Sequence, residues 1–145
     1  MNLDLHDVVE QRLRAVDQRY TAGRRELVAR LRAADGPITI TELLESGDRL
    51  PQSSVYRNLG VLEQAGVLHR IAASGDFARF ELAEDLTEHH HHLICARCGS
   101  VEDFTAPASL ERTLGRAVAA IEAEHRFTAD RHRLDLIGVC ADCRT

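Results

Sequence analysis

The chain has no lysine and no tryptophan, and two tyrosines and four phenylalanines are all its aromatic residues in 145 positions. All 18 basic residues are therefore arginine, a bias that genomic base composition explains and that carries no mechanistic weight. No apolar run approaches the roughly 20 residues of a membrane span, so no membrane partner is expected. Met1-Asn2-Leu3-Asp4 opens with an acid and no apolar h-region follows, unlike a secretory signal, so a cytoplasmic protein is expected. Enzyme signatures are missing as well. There is no H-E-x-x-H, Ile94 rather than proline precedes Cys95, and no glutamate lies two residues after a histidine. No catalysis and no small organic substrate are expected.

Cysteine is scarce but patterned. Cys95-Ala-Arg-Cys98 and Cys140-Ala-Asp-Cys143 are two C-x-x-C pairs, and His89-His90-His91-His92 stands just before the first. In a reducing compartment such pairs favour metal or redox chemistry over disulfides. Four thiolates make a closed tetrahedral Zn²⁺ site of the structural kind. A redox role is the weaker alternative, because neither pair opens a clear helix that would depress a thiol pKa.

At this length the chain makes one medium domain or two small ones, and a small core gains most from a metal staple. The net charge of −5 argues against a general nucleic-acid coat, but distribution matters more. Residues 12–32 carry Arg12, Arg14, Arg19, Arg24, Arg25, Arg30 and Arg32 against only Asp17 and Glu26. This cluster is either a solvated helical face or part of a phosphate-binding surface, with Arg24 a candidate contact.

Periodicity divides the chain into two units. Leu5, Val8, Val9, Leu13 and Val16 form one helical stripe, and Thr21 caps a second helix carrying Leu27, Val28 and Leu31. Gly36-Pro37 ends it. A short helix from Thr39 or Thr41 runs through Leu44, and Pro51 opens a fourth, with Ser53 or Ser54 able to cap it and Val55, Leu59 and Leu62 on its inner face. Strands at 67–72 and 77–82 follow, joined by the turn Ala73-Ser74-Gly75-Asp76. Helices and then a hairpin are the order of a winged helix-turn-helix, although protein-binding modules share it. In such a motif the start of the second helix reads the major groove. Gln52, Ser53, Ser54, Tyr56, Arg57 and Asn58 stand there.

Residues 83–88 read as a polar hinge without a turn of its own. Beyond it we expect a strand to Ile94, a strand at 101–104, a helix near 109–124 and a last strand at 133–139 that delivers Cys140. The predicted class is α+β: winged helix 1–82, hinge 83–88 and a small α/β unit 89–145. Strand alternation sends His89 and His91 to one face and His90 and His92 to the other, so each face needs recruits. His69 and Glu81 from the hairpin are candidates for one. Glu111 and His125, four helical turns apart, are candidates for the other, with Asp103 a spare carboxylate. His132 and His6 receive no role, and His125 alternatively only complements its helix dipole.

Ser54-Val55-Tyr56-Arg57-Asn58-Leu59, Leu62 to Val67, Arg79-Phe80-Glu81-Leu82, His89 to Gly99 and Gly138 to Cys143 together resemble the ferric uptake regulator family over nearly the whole chain. The resemblance implies a homodimer whose carboxyl-terminal unit dimerises and which represses metal-uptake genes from palindromic double-stranded operators when metal is plentiful. It implies structural Zn²⁺ on Cys95, Cys98, Cys140 and Cys143. It further implies a regulatory site on Glu81, His90 and His92, a second site on His89, His91, Glu111 and His125, and DNA contacts from Tyr56 and Arg57. Iron- and peroxide-sensing members often take a ligand where this chain has Gly36-Pro37. Zinc-sensing members, the zinc uptake regulator branch, use the start of the wing, where His69 stands, so regulatory Zn²⁺ is favoured over Fe²⁺ or Mn²⁺. A metal-storage or chaperone role is the alternative from another class.

Overall fold

A computed structural model describes residues 4–72 and 78–144. The predicted turn Ala73-Ser74-Gly75-Asp76 and the strand start at Phe77 lie outside them. Helices α1 (Leu5–Ala15), α2 (Ala22–Ala33), α3 (Ile40–Glu45) and α4 (Gln52–Gln64) precede the wing strands β2 (Leu68–Ala72) and β3 (Ala78–Leu82). A two-residue strand, β1 (Ile38–Thr39), pairs with β3 and is too short for its periodicity to be read from sequence.

Local chemistry sets these boundaries. Thr21 accepts the Arg24 amide at the start of α2, and Thr39 with Glu42 forms a reciprocal capping box on α3. Helix α4 differs from expectation: Pro51 is its N-cap and no side chain caps it, so Ser53 and Ser54 lie within the first turn. Their hydroxyls are thus not spent on capping. At its other end Gly66, at φ +75°, lets Val67 N–H donate to Leu62 O (2.9 Å) and its own N–H to Glu63 O (3.0 Å). Together these bonds make a Schellman stop that only a left-handed residue allows without strain. Val9, Leu13, Leu27, Val28, Leu43, Val55, Leu59, Leu62 and Phe80 close one apolar core, all at most 2% exposed.

The segment expected to be a hinge, residues 83–88, is not featureless. Glu84–Leu86 forms a 3-10 turn, and Asp85 pairs with Arg12 of α1. Then come β4 (His91–Cys95), β5 (Val101–Phe104), α5 (Ala108–His125) and β6 (Asp135–Gly138) in a sheet ordered β5-β4-β6. Strand β4 runs antiparallel to β5 and parallel to β6. Helix α5 buries none of its residues within the chain. Among the described residues no helix is long and apolar enough to cross a membrane.

Candidate metal centres and nucleic-acid interface

The parallel register pairs Cys95 with Gly138, so both cysteine pairs leave the sheet at the same end. Their four sulfurs lie within 4.8 Å of one another, and Cys98 Sγ is 3.7 Å from Cys140 Sγ. A tetrahedron with Zn–S bonds of about 2.3 Å has edges of about 3.8 Å. All four are free thiols. The backbone N–H groups of Cys98 and Cys140 point at Cys95 Sγ and hold its pKa down at about 6. Crowding by the Cys140 sulfur, and then by Cys98 and Cys95, pushes Cys143 up to about 12. Four thiolates at this spacing need a cation between them, so the donor set fits a closed zinc site.

A second cluster joins the two units. His69 and Glu81 are cross-strand partners in the wing. His69 Nε2 and His92 Nε2 each lie 2.8 Å from Glu81 Oε1, and His90 Nε2 lies 3.1 Å from Oε2. Asp103, paired with His92 across β4 and β5, stands 3.6 Å from both His90 and His92. Glu81, His90, His92 and Asp103 present their donor atoms within 4.8 Å of one another, with His69 at the rim through Glu81. The expected quartet of His69, Glu81, His90 and His92 therefore gains Asp103 as a fifth donor. A cleft of about 70 Å³ is lined by His69, Glu81, His90 and His92, enough room for an ion and little else.

The distal ring nitrogens are held too: His90 Nδ1 donates to Glu88 O (2.8 Å), and His92 Nδ1 lies 3.1 Å from Asp135 Oδ1. Outer partners of this kind orient metal-binding imidazoles. Burial opposes ionisation of Glu81, but the imidazoles of His69 and His92 outweigh it and bring its pKa down to about 2. Burial likewise opposes charge on His90 and His92. The Glu88 carbonyl and Glu81 outweigh it at His90, and Glu81 does so at His92, so both sit above the usual imidazole value. Asp103 is raised by burial and by Glu81. Buried Asp103 Oδ1 has no hydrogen-bond partner among the described residues. A pocket that gathers protons around carboxylates and leaves a buried oxygen unpaired fits a divalent cation.

The opposite face of the histidine run holds His89, His91, Glu111 and His132. Glu111 Oε1 is 2.5 Å from His91 Nε2 and 3.1 Å from His89 Nε2, and Oε2 is 3.3 Å from His132 Nε2. Here the expectation is corrected. His125 ends α5 exposed and outside the cluster, whereas His132 takes its place. Arg126 adopts the left-handed conformation at φ +51° and ends α5, and the chain from 127 to 134 returns to the sheet and delivers His132. Buried His91 Nδ1 lacks a hydrogen-bond partner among the described residues, again consistent with a site built for a cation.

On the outer face of α4, Ser53, Tyr56 and Arg57 are exposed and Ser54 is half-buried. Tyr56, 54% exposed, has no apolar reason to be there. Arg24 is half-buried and turned inward: its Nε donates to Asn58 Oδ1 (3.0 Å) and its Nη1 to Gln18 Oε1 (3.0 Å) and Arg19 O (2.8 Å). It braces α4 against α2.

A winged helix-turn-helix tied through its hinge to clustered metal ligands defines a metal-responsive DNA-binding regulator. The chain belongs to the ferric uptake regulator family, whose model matches residues 15–137. Proteins of this family are dimeric, DNA-binding transcription regulators and not enzymes. The ferric uptake regulation protein of Legionella pneumophila is 35% identical over 102 residues, covering 70% of each chain. Among solved structures, the Vibrio cholerae ferric uptake regulator is similar at 26% identity and TM-score 0.68, over 90% of this chain and 98% of that one. A zinc-bound manganese uptake regulator is similar at 29% identity and TM-score 0.61, over 91% and 98%.

Proposed function

We propose that this chain is a metal-gated repressor of metal-uptake genes that binds palindromic duplex DNA as a homodimer, with zinc the favoured corepressor. The observation that carries this reading is one carboxylate. Glu81, on wing strand β3, faces His90 and His92, which lie beyond the hinge. In this reading residues 1–82 bind DNA, 83–88 bend and 89–145 dimerise in the cytoplasm. Ser53, Ser54, Tyr56 and Arg57 meet the major groove, with Arg24 holding α4 in place. Cys95, Cys98, Cys140 and Cys143 hold structural zinc. His69, Glu81, His90 and His92 hold the regulatory ion with Asp103, and His89, His91, Glu111 and His132 hold a second one.

A bound divalent cation supplies the positive charge that lets Glu81, Asp103 and unprotonated imidazoles share one centre. Glu81 then pins the wing to β4, and residues 83–88 lose their freedom to swing. Both recognition helices of a dimer are held at half-site spacing, about 34–36 Å. The gain in DNA affinity equals the preference of the ligand set for the closed arrangement, by reciprocal linkage. Dimerisation is supported by an apolar surface that one chain leaves open: Ile121, Phe127, Leu136 and Ile137 are each at least half exposed, on α5, just beyond it and on the edge strand β6.

His69 adds a third nitrogen to Glu81, a set that suits zinc. Asp103, a second carboxylate, is the observation that favours Fe²⁺ or Mn²⁺ instead. The test is to select a duplex from a random pool with the metal-loaded chain, then follow its affinity during titration with Zn²⁺, anaerobic Fe²⁺ or Mn²⁺. We expect zinc to raise affinity by about 5–150-fold, the usual span of such coupling, and Glu81→Ala to abolish that rise while cysteine-site zinc stays. Metal-independent DNA binding would sink the gate, and a lower activating concentration of Fe²⁺ or Mn²⁺ would overturn the choice of zinc. Failure to select any duplex would favour metal storage.

A further inference from the structure

The hinge is not the only connection between the two units. Arg79 lies on β3 beside Glu81, but its side chain runs to the cysteine knuckle rather than to the histidines. Its Nε donates to Gly99 O at 3.0 Å, and its Nη1 donates to Pro37 O at 3.3 Å with Glu42 Oε2 at 3.5 Å. The side chain is 15% exposed, too buried for a solvent-facing wing arginine. Each of its three partners is fixed independently. Gly99 is buried, sits at φ +75° directly after Cys98 and closes the knuckle by donating its N–H to Cys95 O (3.0 Å). Pro37 immediately precedes β1, whose Thr39 pairs with Arg79 across the ladder. Glu42 completes the capping box of α3, the first helix of the helix-turn-helix pair.

We propose that Arg79 is a positioning residue through which the cysteine knuckle braces the wing, so that occupancy of the cysteine site and order of the DNA-binding unit are linked without passing through the histidine clusters. The inference rests on the reading of the four cysteines as a zinc site. The physical case is geometric. A planar guanidinium spreads fixed donors over a fork and can hold two carbonyls and a carboxylate from three different segments at once, whereas an ammonium gathers its three rotatable donors on one nitrogen. The carbonyl it grips belongs to a knuckle whose shape depends on four sulfurs staying together. When they separate, Gly99 O moves and Arg79 loses one of its three anchors. By linkage the reverse also holds: releasing Arg79 should loosen the hold on zinc.

The experiment uses the full chain as wild type, Arg79→Ala and Arg79→Lys. Metal content is measured by native mass spectrometry, zinc loss by transfer to a chromogenic chelator, and order by amide hydrogen exchange at Thr39 and Arg79. Thr39 N–H donates to Glu42 Oε2 (3.1 Å), the carboxylate that Arg79 also grips, and Thr39 and Arg79 face each other across β1 and β3, beside an apolar core that does not include the cysteines. In the wild type, stripping zinc should speed exchange at Thr39 and Arg79. In Arg79→Ala that exchange should already be fast and stripping should add nothing. Zinc transfer should be about tenfold faster than in wild type, the factor a lost charge-assisted hydrogen bond is worth. Arg79→Lys should fall between and guards against a folding defect in the alanine variant. Equal acceleration by stripping in wild type and Arg79→Ala, or no effect of stripping on wild-type exchange, overturns the brace. Absence of cysteine-bound zinc in the mass spectrum overturns the underlying reading instead, and the two failures are separate.

Discussion

The two halves of this molecule are held together by different physics. The winged unit carries a closed apolar core, with Val9, Leu13, Val28, Leu43, Leu62 and Val67 at 0% exposure, and needs no ligand to exclude water. The carboxyl-terminal unit has no such core. Among its described apolar side chains only Ile94, Cys95 and Ala106 are buried, and Ile137 is 73% exposed. Its most buried side chains include His91 and His92, which an apolar core would not choose. Fully burying an aliphatic side chain is worth about 1.5–3 kcal/mol, and this unit forgoes most of that gain. In the proposed reading its stability rests on coordinated ligands and on a partner chain. A regulator benefits from that division. In that reading the apolar core of the DNA-binding half stays folded at all times, while its β1–β3 edge and the metal-sensing half have order to gain.

The largest expected effect breaks the comparison at its weaker side. Structural zinc is worth about 10–16 kcal/mol in small zinc-finger peptides, so Cys95→Ser or strong chelation should cost the carboxyl-terminal sheet its protection. We expect amide exchange across β4 and β6 to rise to near-unfolded rates while Leu27, Leu59 and Leu62 amides stay protected. Simultaneous loss of both units would refute independent stabilisation. The mirror experiment is Leu62→Ala, which removes a wholly buried side chain from the winged core. It should destabilise that unit by about 2–5 kcal/mol in urea unfolding. Zinc retained by the four cysteines should be unchanged, and a parallel loss of zinc would mean that the two units fold as one.

The same contrast explains what the sequence makes legible. In the winged unit the determinants are local. Thr21 and the Thr39/Glu42 box fix helix starts, Gly66 fixes a stop, and helical spacing selects Leu27, Leu59 and Leu62 for the core. What misleads is the choice of cap, because Pro51 with its fixed φ opens α4 and leaves the serines free. In the other unit the sites are assembled by strand register and chain return. The alternation of the histidine run holds, and an antiparallel β4–β5 pair sets Asp103 opposite His92, a partner that register could have revealed. His132 could not be found that way. It reaches Glu111 only because α5 ends in a left-handed turn and the chain doubles back to β6, whereas helix spacing pointed to His125. The 3-10 turn at Glu84–Leu86 was hidden for a similar reason, since its anchor on Arg12 lies 73 positions away.

That anchor offers the smallest and sharpest refinement of the comparison, because it ties the 3-10 turn to the half with the closed apolar core rather than to the half that carries the metal-ligand clusters. The Arg12 guanidinium donates to both Asp85 oxygens and, at 2.7 Å, to Gly66 O just beyond α4. The hydrogen bond from Arg12 holds the Asp85 carboxyl below the usual aspartate range against a small cost of burial. A folded-state pKa depressed in this way means that the pair stabilises the protein above the unfolded aspartate value, near 3.9. The contribution is lost as pH falls from there through the lower folded value. Asp85 is 61% exposed, so solvent screening keeps the effect within about 1 kcal/mol. Asp85→Asn should therefore reduce winged-unit stability slightly at pH 7 and by less at an acid pH below the unfolded aspartate value, and added salt should shrink the difference further. A loss of equal size at both pH values would show that Asp85 acts through the shape of the turn and not through its charge. The 3-10 turn at Glu84–Leu86 would then be set by backbone geometry alone.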